Sequence, residues 1–494
     1  MIINPYRFNL GGFSNAKSLN FDGVDEYFKT GIFSALDGLE KATFSFWIKP
    51  TNLTSDRILF HIPRNTTAAH GQVFCYLRTT GKIDFSIDTL SYFGRSTAVI
   101  SAGTWHHVFL GIDLSISGDI QIFIDGNPAK ASSNLWNRHA FSTATDGLFI
   151  GEEAQGWILP FLGNMDEFAI WANEDLSSDI ADIYNNGTPT NLNDLSSIPT
   201  AWYRMGDNST FKSPQILMPE NANKDKESKY SMAFDGVDDY VDCGDVLHFS
   251  GDTPMTVSAW VKITTAAGHT SSVPVVNKKK VRMAPTYIMS GWAVDFLTSG
   301  AQTNRLCFSI LGDGSSATGT LRKKALTLSF TDGLWHNIVV TYDGSEDAAG
   351  VKFYIDGTED TTTQTLSNSF TGTLANDATV DLQIGKVPKY GGTNYMDGNI
   401  DELAIFNSVK AIGDIWDGSG SPTDLTGESG LVSWWRMGEQ ATFSTNWSVF
   451  DAIGVNDGTS VNMSIEDRQG DASNSSINSL SYNMTESDIE TETP

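Results

Sequence analysis

The chain has 494 residues, of which 40% are apolar and 11% aromatic, so it is long enough for two to four domains with sizeable cores. This composition excludes low-complexity disorder for most of the chain. The 32 basic and 59 acidic residues give a formal net charge of −27, which argues against nucleic acid or anionic lipid as a partner, because phosphate binding requires clustered Lys and Arg.

The first residues, MIINPYRFNLGG, contain no charged segment followed by an apolar run, so we expect no Sec signal peptide. No stretch approaches the 18 or so apolar residues of a membrane span, so we expect no membrane insertion. The three cysteines, Cys75, Cys243 and Cys307, are too few for a disulfide framework, and we expect them to be buried free thiols.

Six motifs occur twice in the same order, which indicates a duplication. In the first copy they are FDGVDEY, TFSFWIK, WHHVFLGID, IQIFIDG, GNMDEFAIW and AWYRMGD; in the second they are FDGVDDY, TVSAWVK, WHNIVVTYD, VKFYIDG, GNIDELAIF and SWWRMGE. The second copy is longer because it carries an insertion that includes the basic run KKKVR (Lys278–Arg282). We expect this run to be a solvated loop; docking on an acidic neighbouring subunit is the alternative.

The local pattern predicts strands in both copies. In TFSFWIK, Phe44, Phe46 and Ile48 alternate with the other side chains, which is the period-two pattern of a strand with one buried face. IQIFIDG and VKFYIDG repeat this alternation and end in Asp-Gly, a dipeptide that favours tight hairpins. Helical periodicity is limited to one short segment, SSDIADIYNNG, at residues 177–187. Many short strands separated by Gly, Asn and Asp predict an all-β protein built from β-sandwiches.

The ordered motifs resemble the laminin-G/concanavalin A-like lectin (glucanase) superfamily. The resemblance covers residues 17–206 and 231–438 and implies two concanavalin A-like (laminin-G-like) jelly-roll β-sandwiches in tandem. This fold serves lectins, glycosidases, adhesins and scaffolds, so it does not by itself identify the ligand. The opening MIINPYRF, the WYRMGD motif and the ending NMTESDIETETP also resemble structural proteins of marine bacteriophages.

These patterns predict five segments. They are an N-terminal arm (1–16), a first jelly roll (17–206), a linker (207–230), a second jelly roll (231–438) and an acidic polar C-terminal extension (439–494). From about Asp467 onward the extension has too little apolar surface to fold alone, so a partner or its parent domain must order it.

The Asp-Gly motifs carry clustered carboxylates that have two possible roles. In the resembled superfamily the strand with the first motif pairs with the strand that carries Asp-Glu, so carboxylates from both would meet at one sheet edge. Hard oxygen ligands of this kind suit a structural Ca²⁺ ion. The alternative is a pair of Asp-Gly turns whose carboxylates accept hydrogen bonds from backbone amides. The candidate calcium ligands are Asp22, Asp25, Asp166, Asp235, Asp238 and Asp401.

Other residue types give no catalytic pattern. A concanavalin-like glucanase resembles this chain in fold but would carry a Glu-x-Asp-x-x-Glu strand, which the sequence lacks, so we expect no enzyme. His106, His107 and His336 follow a repeated Trp without metal-ligand spacing, and we expect packing or turn roles. Trp47 and Trp260 lie on the polar-facing side of their strand, where they either pack beneath a crossing segment or stack on a sugar.

The resemblance therefore implies a non-enzymatic virion structural protein at the virion surface, namely a tail fibre, head fibre or capsid decoration. Its partners would be other virion proteins, further copies of the chain in a homotrimer, and host surface glycans. The alternative is a bacterial cell-surface adhesin or lectin, and a glycoside hydrolase ranks third.

Overall fold

The structure is a computed structural model, and it describes most of the chain. The described residues are 13–64, 71–87, 93–115, 119–133, 140–142, 147–153, 159–221, 228–263, 272–282, 288–298, 305–312, 319–326, 332–371, 374, 380–389, 392–471 and 478–494.

The chain forms two compact units, each nearly all β. Unit 1 comprises Met1–Asp225 together with Ile477–Pro494, and unit 2 comprises Lys226–Ser476. Unit 2 is therefore continuous in sequence, whereas unit 1 is built from both ends of the chain.

Unit 1 begins with sixteen strands. They are β1 (Ser18–Asp22), β2 (Tyr27–Ile32), β3 (Lys41–Pro50), β4 (Arg57–Ile62), β5 (Val73–Leu77), β6 (Ile83–Ile87), β7 (Phe93–Ser96), β8 (His106–Asp113), β9 (Asp119–Ile124), β10 (Asn127–Pro128), β11 (Lys130–Ser133), β12 (Gly147–Ile150), β13 (Leu162–Ala172), β14 (Ala201–Tyr203), β15 (Thr210–Lys212) and β16 (Gln215–Met218).

Unit 2 follows with twenty strands, and two more then return to unit 1. Those of unit 2 are β17 (Ser231–Asp235), β18 (Tyr240–Asp242), β19 (Met255–Lys262), β20 (Ser272–Arg282), β21 (Ile288–Leu297), β22 (Arg305–Leu311), β23 (Thr320–Ala325), β24 (Trp335–Tyr342), β25 (Val351–Ile355), β26 (Thr358–Glu359), β27 (Thr363–Asn368), β28 (Gln383–Ile384), β29 (Lys386–Lys389), β30 (Gly392–Tyr395), β31 (Asp397–Phe406), β32 (Leu431–Trp435), β33 (Thr442–Phe443), β34 (Trp447–Val449), β35 (Gly458–Val461) and β36 (Arg468–Gln469). The returning strands are β37 (Ser479–Tyr482) and β38 (Ile489–Glu490).

Helical structure in the described residues is confined to short segments. The single α-helix, α1 (Ile180–Tyr184), lies where helical periodicity predicted one, and Asn185 ends it in the left-handed conformation (φ 46°). The 3₁₀ turns are Asn185–Gly187, Leu192–Asp194, Ala348–Gly350, Ile412–Asp414, Ile465–Asp467 and Glu486–Asp488. No helix in the described ranges has both the length and the apolar character needed to cross a membrane.

Each unit is a sandwich of two antiparallel sheets, so the predicted tandem jelly-roll fold is confirmed. In unit 1 the eight-stranded sheet has the order β10-β9-β8-β3-β13-β1-β38, with β14 also paired to β13, and the ten-stranded sheet has the order β11-β7-β6-β5-β4-β12-β2-β37-β16-β15. In unit 2 the corresponding orders are β26-β25-β24-β19-β31-β17-β36, with β32 on β31, and β27-β23-β22-β21-β20-β28-β18-β35-β34-β33, and β29 and β30 form a separate hairpin.

The cores lie between the two sheets of each unit. The predicted alternation in β3 is confirmed, because Phe44, Phe46 and Ile48 are fully buried. Phe44 of the eight-stranded sheet stacks on Phe60 of the ten-stranded sheet, with ring centroids 5.0 Å apart. In unit 2, Val257 of β19 lies in the same core as residues of the ten-stranded sheet. The three cysteines are buried and free, as expected.

The closing strands of unit 1 come from the far end of the chain. In unit 2, β35 follows β34 directly and pairs with both β34 and β18. In unit 1, β37 pairs in the same way with β16 and β2, but the whole of unit 2 lies between β16 and β37 in sequence. Unit 2 is thus inserted into a hairpin of unit 1.

This division differs from the segments expected from the sequence. The expected linker, 207–230, contains β15 and β16, which are sheet strands of unit 1. The expected extension, 439–494, is shared: its first part carries β33 to β36 of unit 2, and residues from Ile477 complete unit 1. Within the expected arm, Phe13 stacks near Trp202 at 6.2 Å, and residues 1–12 lie outside the described residues. The basic run Lys278–Arg282 lies in β20, so the expectation of a loop was wrong there.

Candidate functional site

The Asp-Glu motif of each unit forms a β-bulge in the central strand of the eight-stranded sheet. In unit 1 the register between β13 and β3 shifts between Asp166 and Ala169, and Glu167 has a left-handed backbone (φ 50°). The backbone N–H of Glu167 donates to Asp166 Oδ1 at 2.8 Å, which holds the bulge. The bulge turns both carboxylates to positions where they are nearly fully buried.

The repeated Trp-x-Arg sequence supplies the hydrogen-bond donors for the Glu of this bulge. Trp202 Nε1 donates to Glu167 Oε2 at 2.6 Å, while Arg204 Nε and Nη2 donate to Glu167 Oε1 at 3.1 and 3.0 Å. Burial raises the pKa of Glu167 to about 7, although Arg204 opposes the rise. This contact explains why AWYRMGD accompanies GNMDEFAIW in the sequence.

Unit 2 repeats the same contacts. Glu402 has a left-handed backbone (φ 46°) and its N–H donates to Asp401 Oδ1 at 2.8 Å. Trp434 Nε1 donates to Glu402 Oε2 at 2.6 Å, and Arg436 Nε donates to Glu402 Oε1 at 3.1 Å. Burial, and then the neighbouring Asp401, raise the pKa of Glu402.

A third carboxylate joins each buried pair. In unit 1 it is Asp207, and the oxygens of Asp166, Glu167 and Asp207 lie within 4.8 Å of one another. The amide of Asn15 lies between the first two, because its Nδ2 donates to Asp166 Oδ2 at 2.9 Å and to Glu167 Oε1 at 3.1 Å. A cation between these two carboxylates would have to displace Asn15, so this cluster fits a structural hydrogen-bond network better than a metal site.

In unit 2 the third carboxylate is Glu439. It accepts hydrogen bonds from the backbone N–H groups of Lys229 and Tyr230, the latter at 2.8 Å. Ser228 Oγ donates to Asp401 Oδ2 at 2.6 Å. Burial, and then the charge of Asp401, raise the pKa of Glu439 to about 8. Donors of the chain itself thus occupy this cluster as well.

The Asp-Gly motifs form the turns that the sequence offered as one alternative. In unit 1, Asp22 Oδ1 accepts from Val24 N at 2.7 Å, and Glu26 Oε2 accepts from Asp22 N at 2.6 Å. Asp25 is exposed beside them. Burial raises the pKa of Glu26 to about 7.

The turn of unit 2 has the same bonds and a closer set of carboxylates. Asp235 Oδ1 accepts from Val237 N at 2.8 Å, and Asp239 Oδ2 accepts from Asp235 N at 3.1 Å. Oxygens of Asp235, Asp238 and Asp239 lie within 4.8 Å of one another. Because Asp235 and Asp238 are exposed, this turn fits a Ca²⁺ ion better than the buried clusters do.

The structure does not bring the turn carboxylates to the Asp-Glu carboxylates. β1 does pair with β13 as expected, but Asp22 lies opposite Leu162 while Leu19 lies opposite Met165. At about 3.3 Å per residue, Asp22 and Asp166 are therefore more than about 10 Å apart along the strand pair. The expected meeting at one edge fails because the two motifs lie at opposite ends of the same strand pair.

The turn of unit 2 is separated from its Asp-Glu pair in the same way. Asp235 lies opposite Asp397 and Met232 lies opposite Ile400, so Asp401 follows at the far end of β17. In each unit the acidic side chains of the Asp-Gly turn are therefore separate from those of the Asp-Glu bulge. Binding of Ca²⁺ stays a prediction.

The repeated tryptophans and histidines serve packing and turn geometry. Trp47 is 5% exposed and stacks with Tyr184 of α1 at 5.8 Å. Trp260 is likewise 5% exposed and stacks with Trp416 at 5.5 Å. Both rings thus pack beneath a crossing segment instead of facing a ligand. His106 Nδ1 lies 2.7 Å from Asp125 Oδ2.

His336 and His107 occupy different surroundings. His336 Nδ1 lies 2.8 Å from Asp356 Oδ2, and that bond raises the pKa of His336. His107 is fully buried with Nε2 2.8 Å from Ser45 Oγ, and burial lowers the pKa of His107 to about 3. His336 thus stabilises the turn at Asp356, and neutral His107 packs in the interior.

Sequence reasoning missed two features of unit 1. A cavity of about 380 Å³ lies beside α1, and the residues that line it include Leu176, Ile183, Asp179, Asp182 and Asp194. The other is an ion-pair network on the outward face of the ten-stranded sheet. Its centre is Asp84, which alternates with core residues in the strand IDFSI, and this alternation was the available signal.

Asp84 binds two arginines from neighbouring strand segments. Arg95 donates to both of its oxygens, with Nε at 2.7 Å from Oδ1 and Nη2 at 2.6 Å from Oδ2. Arg78 Nε donates to Oδ2 at 2.7 Å, and Arg78 Nη1 reaches Asp56 at 3.0 Å. Every charge in this network has a partner within the unit.

Comparison with known proteins gives a family and distant structural similarity. The model of the Laminin_G_3 family, described as the concanavalin A-like lectin/glucanases superfamily, matches residues 22–181 and 235–415. No curated protein sequence matches the chain.

Three solved structures with a similar fold are distant in sequence. A putative carbohydrate binding protein from Bacteroides ovatus ATCC 8483 is 10% identical over 90% of this chain and 93% of its own, with a TM-score of 0.33. Domains LG4-5 of the mouse laminin alpha1 chain are 10% identical over 80% and 91%, with a TM-score of 0.26. A heptameric SAP-like pentraxin from Limulus polyphemus is 17% identical over 36% and 86%, with a TM-score of 0.29. The family model covers more than half of the chain, so this protein belongs to the concanavalin A-like lectin/glucanases superfamily through a Laminin_G_3 domain that occurs twice.

Proposed function

We propose that the protein is a non-enzymatic structural protein of a bacteriophage particle, present at the virion surface as a fibre or capsid decoration. Its two sandwiches serve assembly with other virion proteins and bind host surface glycans. The observation that carries the non-enzymatic part is the use of the clustered carboxylates. In both units they accept hydrogen bonds from Trp, Arg and backbone groups of the chain itself, so they stabilise the fold.

The particle assignment is supported by the sequence at the two ends of the chain and by the tandem sandwich. The ending NMTESDIETETP, which resembles those of marine phage structural proteins, supplies strand β38 of unit 1. The C-terminal residues would therefore contact the particle as part of folded unit 1 and not as a free acidic tail. Contact with the rest of the particle then falls to sandwich surfaces or to the first residues of the chain.

Mass spectrometry of purified particles tests the particle assignment. A phage that encodes this chain should contain it in stoichiometric amounts with its capsid or tail proteins, and symmetric assembly leads us to expect a homotrimer. A particle preparation that lacks the chain would refute the assignment. The chain in a bacterial surface fraction without phage would support the cell-surface adhesin or lectin instead, which the superfamily membership also accommodates.

The enzyme alternative has one specific place to be tested, the cavity beside α1 with its three aspartates. Incubation with marine polysaccharides should release no reducing ends. Release that disappears in the Asp182→Asn variant would identify a hydrolase and overturn the proposal, because glycosidases require paired carboxylates at the cleaved bond. Release that persists in this variant would show that the activity does not arise at this cavity.

A further inference from the structure

Among the described residues, four cations lie on the outward face of the ten-stranded sheet of unit 2. We call this set the cationic face: Lys279 on β20, Arg305 on β22, and Arg322 and Lys324 on β23. They are outward because the residues next to them in the strands, such as Leu306 and Leu321, belong to the core.

The strand register places the cationic face around one carboxylate. Asp295 lies opposite Cys307, and Cys307 lies opposite Lys324, so the three form one row across the sheet. Arg322 lies opposite Ser309 in the next row. Asp295 is thus the acidic side chain that this row offers to the cations.

The cationic face lacks ion-pair partners within the described residues. None of its four side chains has a carboxylate oxygen within 4.0 Å in the part of the chain that the structure describes, although the chain is strongly acidic. Arg305 Nε and Nη1 are buried and, among described groups, have no hydrogen-bond partner; the same holds for Asp295 Oδ1, whose residue is 6% exposed. Buried guanidinium donors without an acceptor cost free energy, so the charge of Arg305 is not offset by a partner among the described residues.

Unit 1 shows what the same face looks like when its charges are paired. Arg95 lies opposite Asp84 in unit 1, and Lys324 lies opposite Cys307 in unit 2. Strands β6 and β22 hold the same place in their sheets. Asp84 lies opposite Tyr76 and Cys307 lies opposite Asp295, so Cys307 occupies the position of Asp84. The carboxylate that pairs with Arg95 in unit 1 is therefore replaced in unit 2 by a thiol, while a cation, Lys324, remains opposite it. Asp295 lies one strand away, at the position of Tyr76.

We propose that the cationic face binds an anionic polysaccharide, whose carboxylate or sulfate groups pair with these cations as Asp84 pairs with its arginines in unit 1. This inference rests on the proposed glycan-binding function and names its ligand class and site. Guanidinium groups suit such ligands because they donate two parallel hydrogen bonds to a planar or tetrahedral oxyanion.

The depth and spacing of the site favour a slender polymer over an acidic protein surface. Lys324 is only 8% exposed, so a broad protein surface cannot reach its ammonium group. Three strand steps separate β20 from β23, which is about 14 Å at the usual strand spacing. A polysaccharide with repeated anionic groups can lie across this distance and contact Lys279, Arg322 and Lys324 in turn.

Calorimetric titration of the full-length protein with dextran sulfate, and with neutral dextran as comparison, tests the inference. Dextran sulfate should bind with an affinity that falls as NaCl is raised from 50 to 300 mM, because salt screens the charges, and dextran should not bind. Arg322→Gln and Lys324→Gln should each weaken binding roughly three- to tenfold, since a charge-assisted hydrogen bond is lost. The control Lys352→Gln should leave the affinity unchanged, because Lys352 is exposed and pairs with Glu359 at 3.4 Å on the other sheet.

The reciprocal variant Cys307→Asp supplies the carboxylate of unit 1. It should weaken dextran sulfate binding at least about tenfold, because the new carboxylate competes for the cations. The thermal midpoint should fall, because the carboxylate is buried opposite Asp295. Should this variant fail to fold, Arg322→Gln and Lys324→Gln decide the question alone. Unchanged affinity in both, or no binding of dextran sulfate by the wild type, would overturn the inference.

Two further outcomes separate this inference from others. Tighter binding of polyglutamate than of dextran sulfate would identify an acidic protein as the partner and overturn the polysaccharide. A chain that is present in phage particles but does not bind dextran sulfate refutes the ligand class and leaves the particle assignment intact. Binding of dextran sulfate by a chain that is absent from particles supports the ligand class and refutes the particle assignment.

Discussion

Buried Glu167 and Glu402 show how single residues determine the local structure of both units. Each sits at a left-handed position in a bulge, where a non-glycine residue is strained, and its carboxylate is removed from water. The indole and guanidinium donors of the Trp-x-Arg strand offset these costs. Removal of one donor therefore leaves a buried charge without its hydrogen bond.

Trp202→Phe should destabilise unit 1 by about 1–3 kcal/mol, because it keeps the ring but removes the donor to Glu167 Oε2. Trp434→Phe should have a similar effect on unit 2. Urea denaturation, followed separately for each unit by hydrogen exchange, measures both. A loss below about 0.5 kcal/mol in both variants would contradict the role we assign to these indoles.

Glu439 makes the stability of unit 2 dependent on pH. Its pKa in the folded state is about 8, above the ordinary value of 4.5, because of burial and the charge of Asp401. Its protonated form favours the folded state, so the contribution of Glu439 is fully present below pH 4.5 and is lost as the pH rises toward 8. The unfolding free energy of unit 2 should therefore fall between these values, by up to about 1.4 kcal/mol per pH unit.

Glu439→Gln should flatten this pH dependence and make unit 2 more stable at pH 8. Gln keeps the acceptor oxygen for the backbone N–H groups of Lys229 and Tyr230, so the variant changes the charge and preserves these bonds. Denaturation curves at pH 5 and pH 8 give the result. Equal pH dependence in wild type and variant would assign the effect to other groups.

At the scale of elements, β37 and β38 decide whether unit 1 is complete. β37 lies inside the ten-stranded sheet between β2 and β16, and β38 extends the eight-stranded sheet beside β1. Deletion of residues 478–494 should therefore unfold unit 1 and leave unit 2 folded, which hydrogen exchange resolved by mass spectrometry can detect. Deletion of 491–494 alone should have little effect, because these residues contribute only the exposed pair of Glu492 with Lys49. Full protection of unit 1 in the longer deletion would contradict the topology.

The sequence predicted the sandwich elements but not how the closing strands are distributed. Alternation and repeated motifs indicate strands such as β3 and β19, because a buried face requires period two. The position of β37 was missed because pairing between distant segments has no local pattern. A signal did exist: YNMTESD at residues 482–488 repeats VNMSIED at residues 461–467, and in both Asn is followed by a 3₁₀ turn that a capping box begins. The lack of ion-pair partners for the cationic face among the described residues was likewise not predictable, because the sequence does not show which carboxylates lie near it.

The Asp-Gly turns are the elements at which Ca²⁺ should act. In unit 2 the oxygens of Asp235, Asp238 and Asp239 lie close together, and their mutual repulsion would be relieved by a divalent cation. We expect the melting midpoint to be higher with millimolar Ca²⁺ than with chelator, by mass action on the folded state. Asp238→Asn should reduce this difference, because it removes one of the three carboxylates. The variant should keep the turn, because the turn bonds are accepted by Asp235 and Asp239. An identical midpoint with Ca²⁺ and chelator would exclude a bound ion.

Across the whole molecule, the two units keep the same sheets but differ on the outward face of the ten-stranded sheet. Unit 1 carries a row of rings there, with stacked pairs such as Tyr27 on Tyr482 at 4.8 Å and His61 on Phe74 at 4.3 Å. The register gives Tyr240 as the counterpart of Tyr27, whereas the other rings are replaced in unit 2 by smaller or polar residues: Val461, Gln383, Asn277, Ala293 and Asp295. After duplication, the core and the Glu-Trp-Arg contacts were retained while this face diverged, which is the distribution expected if the face determines what each unit binds.

The inserted position of unit 2 leads to an asymmetric dependence between the units. Because unit 2 is continuous from Lys226 to Ser476 and closes both of its sheets with its own strands, residues 226–476 expressed alone should fold and melt as unit 2 does in the full chain. Residues 1–225 alone should not fold, since they lack β37 and β38. Addition of a peptide spanning 478–494 to the 1–225 fragment should restore protection of β2 and β16 from exchange. An unfolded 226–476 fragment, or a folded 1–225 fragment, would show that the two units depend on each other in a way that their strand pairing does not explain.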